Sequence, residues 1–303
     1  MTSEKTEMKI RPRRSALYMP GANRRALEKA RTLSADCLIL DLEDAVAPDA
    51  KTEARAQICT MLGDGGYGAR EIVVRINAPD TIWGDADMAA LGELPAAARP
   101  DAILAPKVST PQEIDALSAH LPPDTALWIM VETPEAIFNI EKLAARATDS
   151  PLSCLVMGTN DLAKELRAAL VPGRAPLLSA LSMAMLAARQ YELSILDGVF
   201  NDIADAAGFA AECRQGADMG FDGKTLIHPS QLAACNEIFA PSEEDVAQAR
   251  DVVAAFAAPE NAGQGVLKVN GKMTELLHRD IAVRLIAIAD AIADAGKDIV
   301  TKD

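Results

Sequence analysis

Residues 37–44 read Cys-Leu-Ile-Leu-Asp-Leu-Glu-Asp, a strand-length apolar run that ends in Asp41, Glu43 and Asp44. Four more runs end on a charged group: Ile72-Val-Val-Arg75, Ile103-Leu-Ala-Pro-Lys107, Leu127-Trp-Ile-Met-Val-Glu132 and Cys154-Leu-Val-Met-Gly-Thr-Asn-Asp161. A lone acid after a strand says little. Several at one repeated structural position say more, because the C-terminal strand ends of a (β/α)8 barrel converge on one rim. Two carboxylates, an arginine and a backbone glycine on such a rim suit a divalent cation that holds an anionic substrate.

Working outward, apolar runs alternate with helix-period segments along most of the chain. Strands are expected near residues 15–19, 37–42, 72–76, 102–105, 127–131, 153–157, 194–197 and 222–226. Between them, 23–33, 48–62, 111–120 and 134–147 repeat apolar residues every three or four positions, as one helix face requires. Thr110-Pro111 and Thr133-Pro134 read as helix starts with Pro at the first helical position. Eight β-then-α units fit a TIM barrel better than an open doubly wound sheet, whose GxGxxG turn is missing after the first strand. The expected organisation is a barrel domain over 1–258, then a linker and C-terminal helix over 259–303. In that helix, from Met273 to Ile292, Leu277, Ile281, Leu285, Ile288 and Ile292 share one face. This face must be buried on its own barrel or on a neighbouring subunit.

The 303 residues carry a formal charge of −14, which argues against nucleic acid as a partner. Any anionic substrate must therefore be met by local cations. The five cysteines form no CxxC pair, and Cys37 and Cys154 sit in apolar runs as small hydrophobes, which points to a reducing, cytoplasmic setting. No stretch of about 18 apolar residues is present, so no membrane span is expected.

Glu132 and Asp161 form the best candidate metal pair, since two carboxylates plus waters are the usual protein share of a Mg2+ shell. The alternative is that each caps a following helix, but Thr133-Pro134 already supplies a start after Glu132. Arg75, at the end of an apolar strand, needs an anion. Either it pairs with Glu43, Asp44 or Asp41, or it clamps a substrate carboxylate, and the two roles are compatible. Glu43 and Asp44 would orient metal waters or Arg75. Gly158 and Thr159 lie where strand turns into helix, so their N–H groups could meet a carboxylate. Lys107 has the right position but is equally suited to a structural ion pair. His228 reads as a pocket wall or a helix start. The basic run from Lys9 to Arg14 reads as a solvated tail, while Arg14, Arg24, Arg25 and Lys29 lie around the first strand and could meet phosphates.

Leu-Tyr-Met-Pro-Gly-Ala-Asn (17–23), Leu-Asp-Leu-Glu-Asp-Ala-Val (40–46), Val-Val-Arg-Ile-Asn (73–77), Ala-Pro-Lys-Val (105–108), Val-Glu-Thr-Pro (131–134), Gly-Phe-Asp-Gly-Lys (220–224) and Ile-His-Pro-Ser-Gln (227–231) together resemble the citrate lyase β-subunit-like family of the HpcH/HpaI aldolase superfamily. The resemblance covers about residues 12 to 292. It implies a Mg2+-dependent (Mn2+ is the other option) (β/α)8 enzyme that cleaves or forms a C–C bond in a 3-hydroxyacyl thioester. It further implies Glu132 and Asp161 as metal ligands, Arg75 as holder of the 2-oxo acid carboxylate, and Glu43 and Asp44 as supporting acids. Tyr18, Arg24 and Lys29 would approach coenzyme A, and Ile227-His228-Pro229 resembles the malyl-CoA branch, which uses a free CoA ester. One departure matters. The family places an aspartate after Asn-Gly-Lys-Met, delivered from a neighbouring subunit, where this chain has Thr274-Glu275. The expected function is therefore a malyl-CoA or citramalyl-CoA type lyase, a homo-oligomer (trimer or hexamer), with Glu275 as the acid or base. The alternatives are a citrate lyase β subunit, a 2-oxo acid aldolase without CoA, a CoA-thioester hydrolase and a non-catalytic CoA-binding relative.

Overall fold

The computed structural model describes residues 11–300. Parallel strands close into a barrel in chain order: β1 (Ser15–Pro20), β2 (Cys37–Asp41), β3 (Glu71–Arg75), β4 (Ala102–Ala105), β5 (Ala126–Val131), β6 (Leu152–Met157), β7 (Ser194–Asp197) and β8 (Gly223–Leu226). β8 returns to pair with β1, Ser15 standing opposite Lys224. Every strand expected from the sequence is present, with its ends within one residue. The helices of this part are α1 (Arg24–Ala30), α2 (Lys51–Asp64), α3 (Ile82–Gly92), α4 (Pro111–His120), α5 (Pro134–Phe138), α6 (Ile140–Ala145), α7 (Thr159–Leu166), α8 (Leu178–Gln190), α9 (Ala206–Met219) and α10 (Leu232–Ile238). The single helix expected over 134–147 breaks at Asn139, whose side-chain amide donates to Ser109 O at 3.0 Å instead of pointing to solvent.

Strand parity sorts the core into two layers. Ile39, Val73, Leu104, Trp128, Met130 and Val156 fill the barrel interior, with Cys37 and Cys154 buried among them. Their neighbours Leu38, Leu40, Val74, Ile103, Ile129 and Leu155 face the helices. Both faces being covered explains why these strands read as continuous apolar runs and not as alternation. The strand starts are closed by Arg13, which donates to Glu71 at 2.6 and 2.7 Å and to Ser194 Oγ at 2.7 Å, and lies 4.9 Å above the Trp128 ring. Arg14 pairs with Asp36 at 2.8 Å at the same end, which corrects its expected place near phosphates: that end is opposite the rim. Lys9 lies outside the described residues.

The chain forms two compact units, Arg13–Phe239 and a second from Ala240 onward. The second holds α11 (Glu243–Ala257), an antiparallel hairpin of β9 (Val266–Val269) and β10 (Lys272–Glu275), and α12 (Leu276–Val300). α11, grouped with the barrel on sequence, packs here: Ala249 and Val252 share a small core with Leu267, Val269 and Ala282. The expectation of a helix from Met273 is corrected. Met273, Thr274 and Glu275 are in β10, because Asn270-Gly271 takes up left-handed backbone (φ 50° and 82°) and turns the chain back on itself. The expected face of α12 is borne out at Leu285, which packs on this core with Ala282 and Ile286, and is corrected at Leu277 and Ile281, which are exposed. Among the described residues no helix is long and apolar enough to cross a membrane.

Candidate active site

The inward parity that fills the barrel continues past the apolar layer and changes chemistry at the strand ends. After Ala16 comes Tyr18, after Ile39 Asp41, after Val73 Arg75, after Met130 Glu132, and after Val156 Gly158. Side chains two residues apart point the same way, so the top layer of the interior is polar. Strands β2, β3, β5 and β6 thus deliver their ends to one place.

Arg75 and Asp41 are partners in register across β3 and β2. Arg75 Nε donates to Asp41 Oδ1 and Nη2 to Oδ2, both at 2.7 Å, and both residues are buried. Nη1 donates to Asp44 (3.1 Å) and forms an ion pair with Glu43 Oε2 at 2.9 Å, and the guanidinium lies 4.7 Å over the Tyr18 ring. The structural pairing that the sequence left open is therefore present, with Asp41 as the main anion. Asp41 also accepts the N–H groups of Glu43 (2.9 Å) and Ala45 (3.1 Å), which shapes the loop bearing Glu43 and Asp44. Glu43 is largely buried, and burial pushes its carboxyl up to about 8 although Arg75 favours the charged form. Asp44 is 73% exposed. Burial also raises the Tyr18 phenol, whose hydroxyl lies 3.5 Å from Met130 Sδ.

Glu132 is 4% exposed, and burial pushes its carboxyl up to about 7. The Lys107 backbone N–H donates to its Oε1 at 2.7 Å and holds it in the opposite sense, while Asp161 nearby adds like charge. Lys107 Nζ lies 3.4 Å from Asp161 Oδ2, so a single residue touches both acids. Gly158 leaves the space that Glu132 occupies: a Cβ there would stand 2.5 Å from Glu132 Oε2 and closer still to its Cβ. Two adjacent carboxylates, one buried and destabilised as an anion, form a donor set that a small hard cation fits. Among the described residues no group of three or more His, Cys, Asp or Glu side chains forms a complete cage.

The other residues expected in the site stand on several separate elements. Gly158 donates its N–H to Val131 O at 3.0 Å, so the expectation that both amides of Gly158-Thr159 meet a carboxylate is corrected at Gly158. Thr159 is buried and begins α7. Ile227, His228 and Pro229 follow β8. His228 is exposed and starts a short 3-10 turn, its Nδ1 accepting the Ser230 N–H at 3.2 Å. Arg24 and Lys29 lie on the exposed side of α1, with Arg24 donating to Glu28 at 2.9 Å. Glu275 is exposed at the end of β10, where its N–H donates to His278 Nδ1 at 3.0 Å. The Lys107 amide is the participant that sequence reading missed, since a backbone amide leaves no mark in a sequence. Asp41 was among the three acids the sequence offered to Arg75, and parity along residues 37–41 places it inward.

Comparison with known proteins agrees with this architecture. The profile of the HpcH/HpaI aldolase/citrate lyase family matches residues 14–229, and that of the C-C bond lyases of the TIM-barrel fold matches 171–291. The chain is 49% identical to a (3S)-malyl-CoA thioesterase of Cereibacter sphaeroides, over 93% of this chain and 96% of the relative. It is 31% identical to the mitochondrial citramalyl-CoA lyase of Homo sapiens, over 96% and 90%. Among solved structures, Mycobacterium tuberculosis CitE in complex with magnesium, acetoacetate and coenzyme A superposes with a TM-score of 0.69 at 28% identity, covering 90% of this chain and 97% of that one. With one profile spanning most of the barrel and these relatives matched nearly end to end, the chain belongs to the HpcH/HpaI aldolase/citrate lyase family.

Proposed function

We propose that the protein is a magnesium-dependent enzyme acting on the CoA thioester of a short 3-hydroxy dicarboxylic acid of malyl type, and that it hydrolyses the thioester. The observation that carries this reading is the 49% identity, across 93% of the chain, to a (3S)-malyl-CoA thioesterase. Glu132 and Asp161 would hold Mg2+, or Mn2+ in its place. Once bound, the cation supplies Lewis acidity and a template for the hydroxyl and carboxylate oxygens of the acyl group. Arg75 fixes the terminal carboxylate by exchanging its contact with Asp44, the most exposed of its three partners, while Asp41 keeps the guanidinium in plane. Glu43 supports Arg75, and Thr159 lines the turn beside the carboxylate. Tyr18, Arg24, Lys29 and the Ile227-His228-Pro229 turn serve the CoA side of the site.

Hydrolysis forms a bond from water oxygen to the thioester carbon and breaks the C–S bond. The proton leaving water passes to a base and ends on the CoA sulfur. Glu275, supplied by another copy in a homo-oligomer, a trimer or hexamer by resemblance, is the group assigned to that transfer.

Carbon–carbon cleavage is the second reading, favoured by the C-C bond lyase match over 171–291 and by the similarity to citramalyl-CoA lyase. In it the substrate hydroxyl loses its proton, the C–C bond breaks to give a 2-oxo acid and an acyl-CoA carbanion equivalent, and Glu275 protonates the new carbon. Incubation with (3S)-malyl-CoA and with citramalyl-CoA, followed by mass spectrometry, separates the two. Free CoA with the intact hydroxy acid means hydrolysis; acetyl-CoA with glyoxylate or pyruvate means cleavage. Either activity must vanish with EDTA, and turnover of neither ester would reject the reading.

A further inference from the structure

Lys107 stands in the left-handed region at φ 58°, a backbone conformation that costs an L residue with a Cβ. The inward positions of β4 are Ala102 and Leu104, and continuing the strand would bring Pro106 to the site and turn Lys107 toward the helices. The left-handed residue breaks that alternation. It brings both of its donors to the site: the N–H, 2.7 Å from Glu132 Oε1, and the ammonium, 3.4 Å from Asp161 Oδ2. The two acids these donors meet are the pair assigned above to the cation. Arg75 is committed to Asp41, Glu43 and Asp44, and Lys51 to the Leu42 and Glu43 carbonyls, both at 3.0 Å. Lys107 differs from both. Its side chain is 49% exposed and touches a half-exposed acid, so it can leave without abandoning a buried charge.

We propose that Lys107 is a positioning residue that governs divalent-cation binding through two separable contacts of opposite effect. Its backbone N–H, aimed by the left-handed turn, sets the Glu132 carboxylate for ligation. Its ammonium sits on Asp161 as a resident counterion that an incoming divalent cation must displace. This rests on the reading of Glu132 and Asp161 as ligands. The first contact strengthens cation binding by fixing a buried ligand in place. The second weakens it, because a like charge near the ligand oxygen repels the cation.

Substitutions that change one contact at a time test the proposal, with Mg2+ affinity read by titration calorimetry on the full-length protein and Mn2+ affinity by electron paramagnetic resonance. Lys107→Gly removes the ammonium but accepts the left-handed backbone, so affinity should tighten about 3- to 10-fold. Lys107→Asn, also tolerant of that backbone, should follow Gly. Lys107→Val removes the same charge but resists the conformation, so its affinity should fall about tenfold or more below that of Gly. Lys107→Ala, a milder perturbation, should fall between Gly and Val, and thermal melts check that each variant is folded. If Gly and Val bind the cation alike, the amide contact has no such role. If Gly weakens binding, the ammonium is not a competitor. Either result overturns the proposal while the metal site stands. Failure of the unmodified protein to bind Mg2+ or Mn2+ at all would overturn the ligand assignment and this inference together.

Discussion

Asp41 and Arg75 face each other in register on adjacent strands, and Arg75 donates two hydrogen bonds of 2.7 Å to the Asp41 carboxylate, with both side chains buried. The pair fixes the guanidinium plane under the rim and leaves only its Nη1 side to the more exposed acids. Asp41→Ala removes one partner of a buried pair and leaves the other charge uncompensated, so unfolding stability should fall by about 3–5 kcal/mol. Chemical denaturation with a two-state fit measures it. A loss within about 0.5 kcal/mol, the range of ordinary surface changes, would mean that Glu43 and Asp44 suffice for Arg75.

Arg75→Lys keeps the charge but loses the planar fork. Affinity for the carboxylate-bearing acid should drop by about tenfold or more, with much less effect on affinity for CoA alone. Separate titrations with the free acid and with CoA distinguish this from a general loss of structure, which would lower both equally.

Glu43 and Glu132 bind their protons more tightly in the fold, at about 8 and about 7, than at the ordinary 4.5. The resulting stability is complete below about pH 4.5 and disappears as pH rises through 7 and 8. EDTA-treated protein should therefore melt at progressively lower temperature between pH 6 and 9, with a loss on the order of a few kcal/mol. Added Mg2+ should restore most of it at pH 9 and little at pH 5, where protons compete for the same oxygens. A melting temperature that Mg2+ raises equally at both values would contradict the link to these carboxyls.

Gly158→Ala adds one methyl group against the Glu132 carboxylate. The barrel should stay folded, since the change lies at the rim beyond the apolar layer, but Mg2+ affinity should fall by about tenfold or more as Glu132 is pushed aside. Unchanged affinity by calorimetry would show that Glu132 has room to move.

Glu132→Gln and Glu275→Gln proteins should each be inactive alone. If Glu275 acts on the site of another copy, mixing and reassembling them should recover partial turnover, because some sites then receive both intact residues. Absence of recovery in oligomers shown to contain both variants would place Glu275 outside the reaction or within its own chain.

The sequence by itself determined the barrel and the candidates on its rim. Eight apolar runs at regular spacing, buried on both faces, fit one closed parallel sheet, and their charged ends must then converge. It also carried the family blocks around Asp41, Arg75 and Glu132. Other features were decided only by tertiary structure. Arg75 had three acids within reach in sequence, and strand register chose Asp41 as its main partner. Lys107 read as a rim lysine equally suited to a structural ion pair, and its role toward Glu132 was not legible because a left-handed turn and a backbone donor leave no side-chain signature. In the C-terminal unit the Asn270-Gly271 turn outweighed the helical spacing around Met273. A hairpin satisfies its backbone donors and acceptors across two strands, and the partner for β10 was β9, a pairing that helical periodicity does not record.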